Sequence, residues 1–118
     1  MGANMAAPKT IRVGPHRISI KIDETAHNAS QAAEQTSLYG RYDPATNTIT
    51  VQPGLHPDQE ADTILHEILH AVATGTGLTA TGGALEDQSR QEQVVSAMAP
   101  ALLDLLRRNR ALVDYLTA

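Results

Sequence analysis

The feature that most constrains the fold is a pair of histidines set in an apolar run. His66 and His70 stand four residues apart with Glu67 directly after the first, in the pattern H-E-x-x-H. The surrounding run, residues 58–73, is so rich in Ala, Ile, Leu and Val that nearly every side of a helix formed by it would be apolar. We therefore predict a buried helix from which both imidazoles project on one face, one turn apart.

Both ends of this helix are signalled by the local sequence. Pro57 suits the first turn, where a missing N–H leaves no hydrogen bond unmade, and the acidic residues that follow it favour the positive end of the helix dipole. Gly75 or Gly77 can end the helix. The sequence therefore predicts a helix that starts near residue 57 and stops at residue 75 or 77.

Two imidazoles at this spacing can bind one metal ion. Glu67 lies about 100° further round the helix than His66, where a carboxylate can act on a metal-activated water without becoming a ligand. A hydrogen-bonded core pair is the alternative explanation of the histidines, but two imidazoles in such an apolar setting are costly without a partner. We expect a metal site with Glu67 as its general base.

A catalytic zinc site needs a third protein ligand, with a fourth position left for water. The chain has no cysteine and no histidine after His70, so a downstream carboxylate is expected. Glu92 is the preferred candidate because it falls at the margin of the apolar stripe of a second long helix, while Glu86 and Asp87 stand near that helix's start, where acids usually act as caps. The other histidines all precede the pair: His16, His27 and His56.

Upstream of the metal-binding motif the sequence predicts two hairpins. Residues 10–13 and 17–22 alternate apolar and polar side chains around Gly14-Pro15, and residues 38–42 and 48–51 flank a turn that starts with Asp43-Pro44. An Ala-rich surface helix is predicted between the hairpins, over residues 23–35. Residues 48–51, which lead into the motif helix, are expected to form an edge strand that could pair with an extended substrate.

Downstream of the motif the chain is predicted to be helical from about residue 86. Pro100 should kink or split the long helix near Ala99, Arg107 and Arg108 suit its end, and Asn109 should cap a short last helix. The expected buried positions of the two helices are Val94, Val95, Met98, Leu102, Leu105 and Leu106, then Leu112, Val113, Tyr115 and Leu116. The predicted fold is α+β, a small domain with a short antiparallel or mixed sheet of hairpins packed on the central motif helix and a C-terminal helical segment.

Length and charge narrow the function further. With 118 residues we expect one domain over 10–118 and a flexible N-terminus over 1–9. The net charge is −4 and the one basic cluster is Arg107, Arg108 and Arg110, which disfavours nucleic-acid binding. Neither a signal sequence nor a membrane-spanning run is present, so we expect a cytoplasmic protein that does not bind membranes. Oligomeric state is left open.

Two stretches carry a family resemblance: residues 63–71, Thr-Ile-Leu-His-Glu-Ile-Leu-His-Ala, and residues 90–97, Arg-Gln-Glu-Gln-Val-Val-Ser-Ala. Together they resemble the ImmA/IrrE-type metallopeptidases, which are minimal gluzincins of phages and mobile elements. The resemblance implies zinc on His66, His70 and Glu92, with Glu67 as the catalytic acid and base, and a phage or prophage origin.

The preferred hypothesis is therefore a zinc metalloendopeptidase that hydrolyses a protein or peptide substrate, a regulator among the candidates. Zinc would activate the attacking water, and Glu67 would accept its proton and pass it to the leaving amine. The alternative from another class is a catalytically silent, metal-stabilised binding module with a regulatory or assembly role. A third hypothesis is a phage structural protein in which the motif arises by chance, and it predicts no metal.

Overall fold

The computed structural model describes residues 5–23 and 39–118. In these ranges four strands are followed by three helices: β1 Thr10–Val13, β2 His16–Ile22, β3 Gly40–Asp43, β4 Thr48–Val51, α1 Pro57–Gly75, α2 Gln88–Arg108 and α3 Arg110–Leu116. The predicted helix over residues 23–35 lies outside the described residues, apart from its first position. The α+β class expected from the sequence is confirmed.

The four strands form one mixed sheet in the order β1-β2-β4-β3. Both predicted hairpins are confirmed, because β1 pairs antiparallel with β2 and β3 pairs antiparallel with β4. The hairpins join through β2 and β4, which run parallel with Ile20 opposite Ile49. The turn of the second hairpin places Asn47 at a φ of 50°, in the left-handed region that asparagine tolerates better than most residues.

This strand order makes one prediction wrong. Residues 48–51 were expected at the edge of the sheet, whereas β4 is central, with β2 on one side and β3 on the other. The local alternation that identifies a strand carries no information on what pairs with it. Among the described strands the outer positions belong to β1 and β3.

Alternating side chains of the strands build the core against α1. Ile18, Ile20, Ile49 and Val51 are buried and form one cluster with Ile64 of α1. The remaining members of that cluster are Ala71 and the half-buried Ala7, Ile11, Val13, Tyr42, Leu55 and Ile68. Because α1 contacts the sheet on one side and α2 on another, it is the helix around which the described fold is assembled.

The ends of α1 are those predicted. The helix starts at Pro57 and its last residue is Gly75. His56 serves as the N-cap, with its Nδ1 accepting a hydrogen bond from the backbone N–H of Asp58 at 3.2 Å. Arg107, at the end of α2, pairs with Asp58 in the first turn of α1, with 2.9 Å between Nη1 and Oδ1. The end of one helix therefore lies beside the start of the other, so the two run antiparallel.

The side of α2 that faces inward differs from the predicted stripe. Its buried residues are Gln91, Val95 and Ala99, at four-residue spacing, whereas four members of the predicted stripe are substantially exposed: Val94, Met98, Leu105 and Leu106. Small side chains at the buried positions allow the helices to approach closely, which hydrophobicity alone does not indicate. The helix also continues through Pro100, so of the predicted kink or split near Ala99 the split does not occur.

The last helix does not return to the core. Asn109 occupies the predicted N-cap position of α3, but its side chain makes no capping hydrogen bond and instead donates from Nδ2 to the Leu105 carbonyl at 2.8 Å. None of the α3 residues is buried, and Tyr115 and Leu116 are 78% and 63% exposed. Among the described elements α3 contacts α2 alone. None of the helices in the described ranges combines the length and apolar character that crossing a membrane requires.

Candidate metal centre

Helix α1 presents both histidines of the motif on one face. His70 is buried and His66 is half-buried, and their Nε2 atoms lie 3.3 Å apart. The two rings meet edge to face, with centroids 5.0 Å apart and an interplanar angle of 60°. Four-residue spacing thus brings two lone-pair nitrogens to one point, as the sequence predicts.

Helix α2 brings a carboxylate to the same point. Glu92 Oε1 lies 2.9 Å from His70 Nε2, and Glu92 Oε2 lies 3.1 Å from His66 Nε2. Ser96, one turn further along α2, donates a hydrogen bond from Oγ to Glu92 Oε2 at 3.2 Å. In the described part of the chain, these three side chains are the group of histidine and acidic residues whose ligand atoms converge within 4.8 Å.

The two alternative carboxylates have structural roles elsewhere. Asp87 is the N-cap of α2, and its Oδ1 accepts from the backbone N–H of Ser89 at 2.8 Å and of Arg90 at 3.2 Å. Glu86 Oε1 accepts from the N–H of Gly82 at 3.0 Å in the preceding loop. Of the three candidates the structure brings Glu92 to the histidines.

The donor set fits a divalent metal. In the neutral form of an imidazole, one ring nitrogen donates a hydrogen bond and the other accepts. When both imidazoles carry their hydrogen on Nδ1, the two Nε2 atoms and the Glu92 carboxylate are all acceptors, and at these separations they repel each other unless a cation lies between them. Neighbouring ligands of a tetrahedral zinc with bonds of 2.0–2.1 Å are about 3.3 Å apart, close to the spacing seen here.

Burial also favours the ligand form of His66. Desolvation is the largest cause that lowers its pKa below the usual value, the neighbouring His70 lowers it further, and Glu92 partly opposes both. A lowered pKa keeps the imidazole neutral at higher proton concentrations, and only a neutral imidazole can bind a metal.

Glu67 lies next to the ligands on α1 and is fully buried, with 0% of its surface exposed. Strand β3 covers it at Gly40, where an added Cβ would stand 3.5 Å from Glu67 Cγ, 2.8 Å from Thr63 Cγ2 and 3.1 Å from the Thr50 carbonyl oxygen. The missing side chain of Gly40 therefore lets β3 lie directly on the turn of α1 that carries the motif. Sequence analysis gave Gly40 no role, since a single glycine in a strand does not show what approaches it.

Gln91 was also missed. It is buried, with 5% of its surface exposed, and its Oε1 contacts Nδ1 of His70 on the side of the ring away from Glu92. The available signal was that Gln91, Val95 and Ala99 follow one another at intervals of four residues, which places an amide among the inward-facing positions of α2. The polarity of the residue concealed that pattern.

Neither His16 nor His56 belongs to the metal-binding cluster that the described residues form. His16 is exposed at the start of β2, His56 caps α1, and His27 lies outside the described residues. Tyr42 is packed against the core, and burial, with a smaller contribution from Asp43, raises its pKa. Tyr115 is exposed on α3.

Comparison with known proteins gives one match. The family model Peptidase_M78, described as an IrrE N-terminal-like domain, matches residues 25–103, which is more than half of the chain. The matched range includes β3, β4, α1 and the part of α2 that carries Glu92. No curated protein and no solved structure matches the chain.

Proposed function

This chain belongs to the family of IrrE N-terminal-like peptidase domains, and on that premise we propose that it is a zinc-dependent endopeptidase. The observation that carries the proposal is the convergence of His66, His70 and Glu92 from two helices, with the buried Glu67 beside them on α1. Family membership supports peptide-bond hydrolysis, and the cluster supports a metal as the source of its chemistry.

The donor set supports zinc among the biological metals. Two imidazole nitrogens and one carboxylate make the His₂Glu set of catalytic zinc sites, which leaves one coordination position for water or substrate. Calcium and magnesium prefer all-oxygen sites, which this cluster does not offer. A bound zinc would supply Lewis acidity, both lowering the pKa of water and polarising the carbonyl under attack.

Glu67 is the proposed proton carrier. Its carboxylate would take the proton of the attacking water and later deliver it to the nitrogen of the leaving amine, so that one group serves as base and then as acid. The burial of Glu67 on the same helix as both histidines limits the movement of its side chain, and a fixed position favours proton transfer. The ligand histidines and Glu92 hold the metal and do not exchange protons in this scheme.

We propose β3 as the strand that positions the substrate. It occupies an outer position among the described strands and lies directly on the Thr63–Glu67 turn of α1. An extended peptide paired with β3 would run past the metal ligands, held mainly by main-chain hydrogen bonds. Such pairing is weakly selective, so side-chain preference would come from the surroundings of the site.

The test combines metal analysis with two classes of variant. We expect about one zinc per chain in the purified protein, lost in His66→Ala, His70→Ala and Glu92→Ala. Glu67→Gln should keep zinc but lose cleavage of a random peptide library followed by mass spectrometry. Glu86→Gln is the matched control, because Glu86 is an acidic residue near α2 that accepts a hydrogen bond from Gly82 in the preceding loop. This variant should keep both zinc and cleavage. Undiminished cleavage by Glu67→Gln would remove Glu67 from the mechanism.

A metal-stabilised binding module is the second candidate, and one observation favours it. The buried face of α2 holds only Gln91, Val95 and Ala99, so a metal that links Glu92 to both histidines would tie α2 to α1. This function predicts that a chelator unfolds the protein while Glu67→Gln leaves its biological effect intact. A purely structural site has no need of Glu67.

A further inference from the structure

Two consecutive residues of α2 contact the two ring nitrogens of His70. Gln91 Oε1 contacts Nδ1, and Glu92 Oε1 lies 2.9 Å from Nε2. Gln91 is 5% exposed and His70 is 5% exposed, so the contact is shielded from water. A buried amide next to a buried imidazole must be hydrogen-bonded to offset its desolvation.

The direction of this hydrogen bond decides whether His70 can bind metal. A neutral imidazole carries its hydrogen on one nitrogen only. When the amide oxygen of Gln91 accepts, the hydrogen sits on Nδ1 and the Nε2 lone pair faces His66 and Glu92. When the amide NH₂ donates instead, the hydrogen sits on Nε2, which then cannot bind a metal.

We propose that Gln91 is the positioning residue of the metal centre: its amide oxygen accepts from Nδ1–H of His70 and thereby presents Nε2 as a metal ligand. The inference rests on the proposed metal site but not on catalysis. Partners of this kind behind a ligand histidine fix both its tautomer and its ring plane. Gln91 and Glu92 are consecutive residues. The same turn of α2 therefore supplies the third metal ligand, Glu92, and the residue that orients His70, Gln91.

The neutral amide of Gln91 is also compatible with the negative charges that surround the histidines. Glu92 and Glu67 already place two carboxylates next to the histidines. An acceptor without charge orients His70 without adding a third negative group to a buried region, where unpaired charge is costly. Glutamate at position 91 would keep the acceptor, so it should retain the orientation.

Zinc affinity in three variants tests the proposal. Gln91→Met keeps the length of the side chain but removes the acceptor, and we expect it to bind zinc on the order of 10- to 100-fold more weakly in a chelator competition assay. Gln91→Glu keeps both the shape of the side chain and its acceptor, so it should bind zinc with an affinity close to that of the unmodified protein. Gln93→Met makes the same change two residues on, at an exposed position, and should leave the affinity unchanged.

The tautomer of His70 provides a second readout that needs no metal. Long-range ¹H–¹⁵N spectra of the metal-free protein at neutral pH should show the hydrogen of His70 on Nδ1, and Gln91→Met should lose that preference. If Gln91→Met does not fold, Gln91→Asn, which keeps the amide but is too short to reach, should show both effects.

Two results would overturn the proposal. One is unchanged zinc affinity in a folded Gln91→Met or Gln91→Asn protein, and the other is a hydrogen on Nε2 of His70 in the unmodified chain. Failure of the proposed metal site is distinguishable, because in that case the unmodified protein itself binds no zinc. Failure of catalysis alone would leave the expected zinc affinities of all the variants unchanged.

Discussion

Gly40 lies so close to Thr63 that a Cβ on the glycine would stand 2.8 Å from the threonine Cγ2. This contact joins β3 to the turn of α1 that carries His66 and Glu67. The Thr50 carbonyl, 3.1 Å from the same point, limits movement on the β4 side. The close approach of β3 to α1 therefore depends on the absence of a side chain at position 40.

Gly40→Ala should accordingly destabilise the protein. The added methyl would meet backbone as well as a buried side chain, and overpacking of this kind costs about 1–3 kcal/mol of unfolding free energy. Gly75→Ala is the matched control, since nothing lies within 4 Å of its Cβ position and the residue is helical. Urea unfolding of both variants measures the difference, and equal stabilities would contradict the close contact.

Metal removal should lower thermal stability. A ligand that binds only the folded state adds about 2.7 kcal/mol when its free concentration is 100 times the dissociation constant. For a protein of this size we expect EDTA to lower the Tm on the order of 10 °C relative to the zinc-loaded form. His70→Ala should melt at the same temperature with and without EDTA, and a similar EDTA effect in that variant would place the stabilising metal elsewhere.

The metal-free protein should lose stability as the pH falls. Burial lowers the pKa of His66 in the folded state, while in the unfolded chain it titrates near its ordinary value of about 6.5. Below about pH 6.5 the unfolded state therefore binds more protons at His66 than the folded state does, and protonation favours unfolding. The stability that the neutral His66 contributes is fully present above about pH 6.5 and is lost as the pH falls towards the lower folded-state pKa.

Denaturant titrations of the metal-free protein between about pH 7.5 and pH 5.5 measure this slope. His66→Gln should flatten it, because the titrating group is gone. His16→Gln, at an exposed position on β2, should leave the slope unchanged. A slope that is the same in all three proteins would assign the acid sensitivity to other groups.

The packing of α2 on α1 should control zinc affinity. Ala99 is fully buried between the helices, two turns beyond Gln91. Ala99→Leu would force the helices apart at a cost of about 1–3 kcal/mol and displace Glu92 from the histidines. Ala97→Leu adds the same atoms at an exposed position and is the control. Zinc titration should show weaker binding in the first variant alone; unchanged affinity there would mean that the site tolerates movement of α2.

The sequence by itself determined the local parts of this protein. The motif spacing placed His66 and His70 on one face of a helix, Pro57 marked its start, Gly75 and Gly77 limited its end to two positions, and alternation identified both hairpins. These features depend on residues within a few positions of one another, and local backbone geometry translates such spacing directly into three-dimensional placement.

Only the tertiary structure decided which separate segments meet. It joined the hairpins through the parallel pairing of β2 and β4, which makes β4 central and leaves β3 at an outer position. Tertiary packing also determined which face of α2 is buried, and Gln91 and Ala99 lie on that face. It left α3 outside the core. Such choices follow from how closely whole surfaces can approach, and that depends on small residues and shared polar contacts more than on the hydrophobic pattern of any one segment.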